Sequence, residues 1–85
     1  MYELTNAITA AFDIKKLKNE CNHPGCRNKP EKEFFIYEYS TRRITGIATL
    51  YVCAEHLTVA RSLMTKLKEL KPHIVIMSKE KDISK

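Results

Sequence analysis

The segments CNHPGC (Cys21–Cys26) and CAEH (Cys53–His56) decide how this chain folds. They contain all three cysteines of the 85-residue chain, and residues 27–52 separate them. Thiolates and imidazoles that come in pairs with two to four residues between them are typical ligands of tetrahedral zinc sites. The spacing therefore predicts a single Zn²⁺ ion, held by Cys21, Cys26, Cys53 and His56.

The local sequence allows each pair to point at one ion. Pro24 and Gly25 supply turn chemistry between the first two cysteines. Cys53 and His56 lie three residues apart at the predicted start of a helix, where such positions share a face and where the helix N-terminus favours a thiolate. The intervening segment is long enough for a hairpin that returns the chain to its start. The two pairs can thus meet.

Other roles for these residues stay open at the level of sequence. Cys53 could be a small buried hydrophobe, and Cys21 and Cys26 could form a disulfide outside a reducing compartment. His23 could replace His56 as the fourth ligand. The N-terminal segment has no basic stretch of the kind that opens a secretory signal, so a reducing, cytoplasmic location is expected. An odd number of cysteines also excludes a complete disulfide framework.

The hydrophobic pattern predicts a small α+β domain stabilised by zinc. In chain order, the predicted elements are a helix at 6–18, a loop at 21–32, an antiparallel hairpin of strands 33–40 and 44–52, a helix at 54–70 and a short strand at 73–77. One domain is expected over residues 1–78, with its zinc core at 21–70. Residues 79–85 are expected to form a mobile charged tail.

The first strand of the hairpin is apolar on both faces. Phe34 and Ile36 lie on one face, and Phe35, Tyr37 and Tyr39 lie on the other. A single helix covers only one face of a two-stranded sheet. The second face must therefore meet the N-terminal helix, the last strand or a partner.

The order of a CNHPGC knuckle, a hairpin and CAEHL opening a helix resembles a treble-clef zinc finger over residues 21–70. CAEHL is also similar to the ending of small zinc-binding proteins of archaea and archaeal viruses. The resemblance implies a structural zinc ion and, by analogy, a nucleic-acid-binding protein in the cytoplasm, or in the host cytoplasm if the protein is viral.

Enzymatic activity is not expected. Four protein ligands make a closed site, whereas a catalytic zinc keeps one position open. The sequence contains neither a phosphate-binding glycine loop nor the motifs of zinc deaminases. No small-molecule substrate is predicted. The chain has no apolar run of 18 residues, so no membrane association is predicted either.

The formal net charge of +5 permits binding to nucleic acid without requiring it. A DNA-binding regulatory protein is the leading hypothesis, with DNA favoured over RNA. The alternative is a protein–protein interaction adaptor or a homodimer. The basic residues predicted to contact nucleic acid are Arg27, Lys29, Arg42, Arg43, Arg61, Lys66 and Lys68.

Overall fold

A computed structural model describes residues 2–83. It contains two α-helices, α1 (Tyr2–Ala11) and α2 (Leu57–Leu70), and three strands, β1 (Lys32–Ser40), β2 (Arg43–Val52) and β3 (Val75–Asp82). Two short 3₁₀ helices lie at Ile14–Lys16 and Ala54–His56. The strands form one antiparallel sheet in the order β2-β1-β3. The predicted α+β fold, with an N-terminal helix and a C-terminal strand around a hairpin and helix, is confirmed.

Both helices pack on the same face of the sheet. Phe34 and Ile36 of β1 are fully buried there, and they share one core with Leu4 and Ile8 of α1 and Leu67 of α2. Lys71, just after α2, forms an ion pair with Glu3 in the first turn of α1. The start of α1 therefore lies beside the end of α2, and the two helices run antiparallel.

The first helix begins and ends earlier than the predicted 6–18. Its buried stripe starts at Leu4 and continues through Ile8 to Phe12, which follows the helix. Asp13 then stops the helix, because its side chain accepts a hydrogen bond from the backbone N–H of Lys15. The backbone N–H of Asp13 donates instead to the carbonyl of Asn22. This bond turns the chain toward the knuckle.

The third strand is longer than predicted and starts later. His73 lies in the turn before it, and β3 continues to Asp82 at the edge of the sheet. Residues 79–82, expected in a mobile tail, therefore pair with β1. The Lys32–Asp82 and Arg61–Glu80 ion pairs tie this part of β3 to β1 and α2. Residues 84 and 85 of the expected tail lie outside the described residues.

The second face of the sheet is not covered by the helices. Directly opposed residues share a face, and the pairing Val75–Tyr39–Ile44 forms a row across this open face. Phe35 and Tyr37 stack with ring centroids 5.4 Å apart. A bulge places Ile47 between the pairs of Ile36 and Tyr37, beside Gly46 as the sequence suggested. The last strand thus extends the sheet and does not cover it.

Candidate metal centre

The structure brings Cys21, Cys26, Cys53 and His56 together. Their ligand atoms all lie within 4.8 Å of one another. The three cysteines are buried and unbridged, so the predicted alternative of a Cys21–Cys26 disulfide is not present. Residues that are far apart in the chain, at the knuckle and at the start of α2, thus form one group that could hold a metal ion.

The distances inside the group suit a tetrahedral ion. Cys26 Sγ and Cys53 Sγ are 3.9 Å apart. His56 Nδ1 lies 3.5 Å from Cys21 Sγ and 3.3 Å from Cys53 Sγ. Metal–sulfur bonds of about 2.3 Å and metal–nitrogen bonds of about 2.0 Å at tetrahedral angles imply sulfur–sulfur edges of roughly 3.8 Å and sulfur–nitrogen edges of roughly 3.5 Å. These three distances are close to those edges, and no two of the four ligand atoms are more than 4.8 Å apart.

The first pair of cysteines is shaped by a type II turn. The backbone N–H of Cys26 donates to the carbonyl of His23 at 3.0 Å, with Pro24 and Gly25 at the two central positions. Gly25 has φ +80°, which a type II turn requires at its third residue and which glycine adopts without strain. The turn that Pro24 and Gly25 predicted is therefore present, and it brings Cys21 and Cys26 to the same side of the knuckle.

The second pair is set by the 3₁₀ helix Ala54–His56. The backbone N–H of His56 donates to the carbonyl of Cys53 at 3.1 Å, the i to i+3 bond of this helix. Cys53 precedes this helix, and the single tight turn from Cys53 to His56 brings Cys53 Sγ within 3.3 Å of His56 Nδ1. The sequence predicted a helix from residue 54, and the ligand pair occupies its tight first turn.

His23 lies beside the group without joining it. Its ring stacks on that of His56, with centroids 3.9 Å apart and planes 3° from parallel. His23 Nδ1 lies 3.0 Å from the carbonyl oxygen of Pro24, to which it can donate. His56, and not His23, therefore presents a nitrogen to the thiols. His23 packs against that ring.

The thiols of Cys21 and Cys53 differ in acidity. Burial raises the pKa of Cys21 to about 11. Burial also acts to raise the pKa of Cys53, but hydrogen bonds from the backbone of His56 and the side chain of Asn28 outweigh it and lower this pKa below its ordinary value. Asn28 Nδ2 lies 3.8 Å from Cys53 Sγ. These hydrogen bonds therefore favour the thiolate form of Cys53.

Asn22 and Lys16 hold the knuckle in place, and neither was predicted from the sequence. Asn22 is fully buried, and its side-chain amide donates to the carbonyls of Leu17 and Glu20. Lys16 Nζ donates to three carbonyls of the segment 21–26. The position of Asn22 between two cysteines was a weak indication that it holds the knuckle. Nothing in the sequence indicated the same role for Lys16.

Two pairs of the predicted nucleic-acid-binding residues lie at opposite ends of β1. Arg27 and Lys29 are exposed near the knuckle, whereas Arg42 and Arg43 lie at the hairpin tip. The nine residues of β1 separate these pairs by about 26 Å. Lys66 and Lys68 are exposed on α2. Arg61 is engaged by Glu80, to which its guanidinium donates two hydrogen bonds of 2.7 Å.

No helix within residues 2–83 is both long and apolar enough to span a membrane. Comparison with family models, curated proteins and solved structures gives no match to this chain.

Proposed function

We propose that Cys21, Cys26, Cys53 and His56 bind one zinc ion with a structural role. The observation that carries the proposal is the approach of their four ligand atoms to within 4.8 Å of one another, with three of the separations close to tetrahedral edges. Three sulfurs and one imidazole nitrogen form a soft donor set that suits zinc better than magnesium or calcium. Four protein ligands leave no position for a water or a substrate. The role that we propose for the ion is therefore structural and not catalytic.

The ion would supply stability that a chain of 85 residues has difficulty obtaining from its core alone. The knuckle lies in a long irregular segment between the first 3₁₀ helix and β1. A metal bridge would fix this segment to the start of α2 and the end of β2. The treble-clef resemblance agrees with this role, and a reducing cytoplasm would keep the thiols free to bind the ion.

Native mass spectrometry with elemental analysis tests the proposal. We expect a monomer mass raised by one zinc ion, and a zinc-to-protein ratio near one. Treatment with EDTA should remove the ion and lower the melting temperature, and added zinc should restore it. The control is Cys26→Ser, which should bind zinc weakly and respond little to EDTA. A wild-type chain that takes up no zinc and melts identically with EDTA would contradict the proposal.

We further propose that the hairpin tip binds single-stranded DNA. Tyr39, at the centre of the Val75–Tyr39–Ile44 row, leaves 44% of its surface exposed. Exposed aromatic rings beside cations are the usual elements of single-strand binding. Tyr37, which precedes Tyr39 by two residues on the same strand, is only 6% exposed and is less suited. We call this region the hairpin-tip surface; it comprises Tyr39, Ile44, Val75 and Met77 on the open face, together with Arg42 in the turn and Arg43 at the start of β2.

The turn itself supports a role for Arg42. Thr41 and Arg42 have φ values of 47° and 64°, the left-handed conformation that Asn-Gly adopts at least cost in a two-residue hairpin turn. This sequence places a β-branched residue and an arginine there instead. Strain of this kind often accompanies function, because the residue type is required for something other than stability.

Fluorescence anisotropy with a labelled oligothymidine tests this second proposal. Binding should weaken steeply with salt, as phosphate contacts do. The double variant Arg42→Ala/Arg43→Ala should bind weakly, whereas Arg27→Ala/Lys29→Ala removes the same charge at the opposite end and should bind as wild type. An equal loss of DNA affinity in both double variants would exclude the hairpin-tip surface as the binding site. No DNA binding together with a dimer mass would favour the protein-interaction alternative, to which exposed Ile44, Val75 and Met77 would contribute.

A further inference from the structure

The Lys16 ammonium group is directed into the knuckle. Its Nζ atom donates to the carbonyl oxygens of Cys21 at 3.2 Å, His23 at 3.0 Å and Cys26 at 2.8 Å. An ammonium group has three N–H donors, and these three bonds use all of them. The carbonyls come from both ends and the middle of the segment. Lys16 therefore fixes the curvature of the whole segment through one atom.

The backbone just before the knuckle sets the position of Lys16. It is the last residue of the 3₁₀ helix Ile14–Lys16, and the next residue, Leu17, has φ +53°. The backbone N–H of Leu17 donates to Ile14, and its carbonyl accepts from the side chain of Asn22. These bonds hold an unfavourable backbone conformation in place. Lys16 is thus half-buried and anchored, unlike its exposed neighbour Lys15.

The charge of Lys16 also complements the proposed ion and its ligands. Three thiolates around a divalent ion leave a net charge of −1. The Lys16 ammonium group, which donates hydrogen bonds to the carbonyls of Cys21 and Cys26, lies beside that negative charge. In a half-buried setting the attraction is screened less than it would be at the surface. Losing the lysine would remove both the geometric restraint and the counter-charge.

We propose that Lys16 is a positioning residue that prolongs the lifetime of the bound zinc ion by clamping the Cys21–Cys26 segment and by offsetting the negative charge of the centre. The inference rests on the proposed zinc site. It concerns the rate at which the ion leaves, whereas the proposed function concerns whether an ion binds. The two can therefore be tested separately.

The experiment measures zinc release from the purified, zinc-loaded chain to a chromophoric chelator. Its variants are Lys16→Met, which keeps the length and apolar stem, and Lys15→Met, which removes the same charge one residue earlier. Lys15→Met should release zinc at the wild-type rate. Lys16→Met should release it roughly 10- to 100-fold faster, the usual effect of removing a group that orients a metal ligand.

A general loss of stability must be separated from this effect. The global unfolding rate of each zinc-loaded variant is followed by circular dichroism, and cobalt-substituted protein reports the geometry of the centre through its visible absorption. Release that accelerates more than unfolding, with an altered cobalt spectrum, supports the inference. Equal acceleration of release and unfolding would overturn it, because Lys16 would then act on the fold as a whole.

The remaining outcomes are also decisive. If wild-type chain binds one zinc ion and Lys16→Met releases it at the wild-type rate, the inference falls and the zinc site stands. If wild-type chain binds no metal, both fall. Should Lys16→Met not fold, Lys16→Arg is compared with Lys15→Arg, since arginine keeps the charge but its planar fork cannot direct three donors from one atom. Faster release from Lys16→Arg alone supports the clamp, and equal rates overturn it.

Discussion

Asn22 and Tyr51 exchange two hydrogen bonds: the Asn22 N–H donates to the carbonyl of Tyr51 at 2.7 Å, and the Tyr51 N–H donates to Asn22 Oδ1 at 2.9 Å. Asn22 thereby pairs with β2 as an added strand residue would. Tyr51 lies two residues before Cys53, and Asn22 follows Cys21 directly. This exchange holds the two ligand segments side by side without any metal.

Asn22→Ala should therefore destabilise the protein strongly. The variant loses the side-chain bonds to the backbone of Leu17, Glu20 and Tyr51, and leaves these partly buried groups without that partner. We expect a loss of about 2–4 kcal/mol in the free energy of unfolding, measured by urea denaturation. Asn19→Ala, at an exposed position, is the control and should change little. A loss under about 1 kcal/mol in Asn22→Ala would contradict the proposed role of the exchange.

Cys53→Ala should abolish tight zinc binding, because it removes the sulfur that lies 3.3 Å from His56 Nδ1 and 3.9 Å from Cys26 Sγ. Loss of about 3 kcal/mol would lower the melting temperature of a chain of this size by roughly 15 °C or more. Differential scanning calorimetry with and without EDTA is the measurement. The variant should melt at the same temperature in both conditions. If Cys53→Ala melts at the same temperature as wild type, the centre has no structural role.

Leu17→Gly should stabilise the protein. Leu17 has φ +53° and leaves 59% of its surface exposed, so glycine would relieve backbone strain while losing little packing. We expect a gain of about 0.5–1 kcal/mol in the free energy of unfolding. Leu17→Ala keeps a Cβ atom and should give no such gain. If alanine and glycine behave alike, the backbone at this position is not strained.

Replacing the hairpin turn with Thr41→Asn/Arg42→Gly should also stabilise the protein, by about 1 kcal/mol, since both residues have positive φ. Thermal denaturation measures the gain. Under the proposed DNA interaction, the same variant should bind oligothymidine less tightly, because it removes Arg42. If the variant is more stable but binds DNA as tightly as wild type, the turn residues do not belong to the proposed interface.

The Arg61–Glu80 pair gives a prediction about pH. The hydrogen bonds and charge of Arg61 lower the pKa of Glu80. A lowered pKa means that the pair stabilises the fold above the ordinary pKa of glutamate, and that this contribution is lost as the pH falls through the lowered pKa. Both side chains are partly exposed, so the effect is small.

Glu80→Gln isolates this contribution. The free energy of unfolding of wild type and of Glu80→Gln is measured at pH 6 and at pH 3. Wild type should be the more stable chain at pH 6, and its advantage should be smaller at pH 3. Zinc release in acid affects both chains and cancels in the comparison. A difference that stays constant with pH would show that the pair contributes through packing and not through charge. Glu69→Gln, on the exposed side of α2, is the matched control.

The sequence predicted the features whose causes are local. Aromatic and β-branched residues located the hairpin, because such side chains favour strands. Helical periodicity located α2, because the period reflects which residues face the core. Pro24 and Gly25 predicted the turn, because residue type limits φ within a few residues. The spacing of the cysteines and His56 predicted which side chains would meet, because each pair is fixed by a single turn.

Only the tertiary structure decided what depends on residues distant in the sequence. It placed Lys16 on the carbonyls of the knuckle, Asn22 against Tyr51 and the charged residues of β3 at the edge of the sheet. It also left one face of the sheet open, with Tyr39 exposed near the hairpin tip. Hydrogen bonds and packing of this kind depend on where two separate segments are brought together. No local period or turn propensity encodes that position.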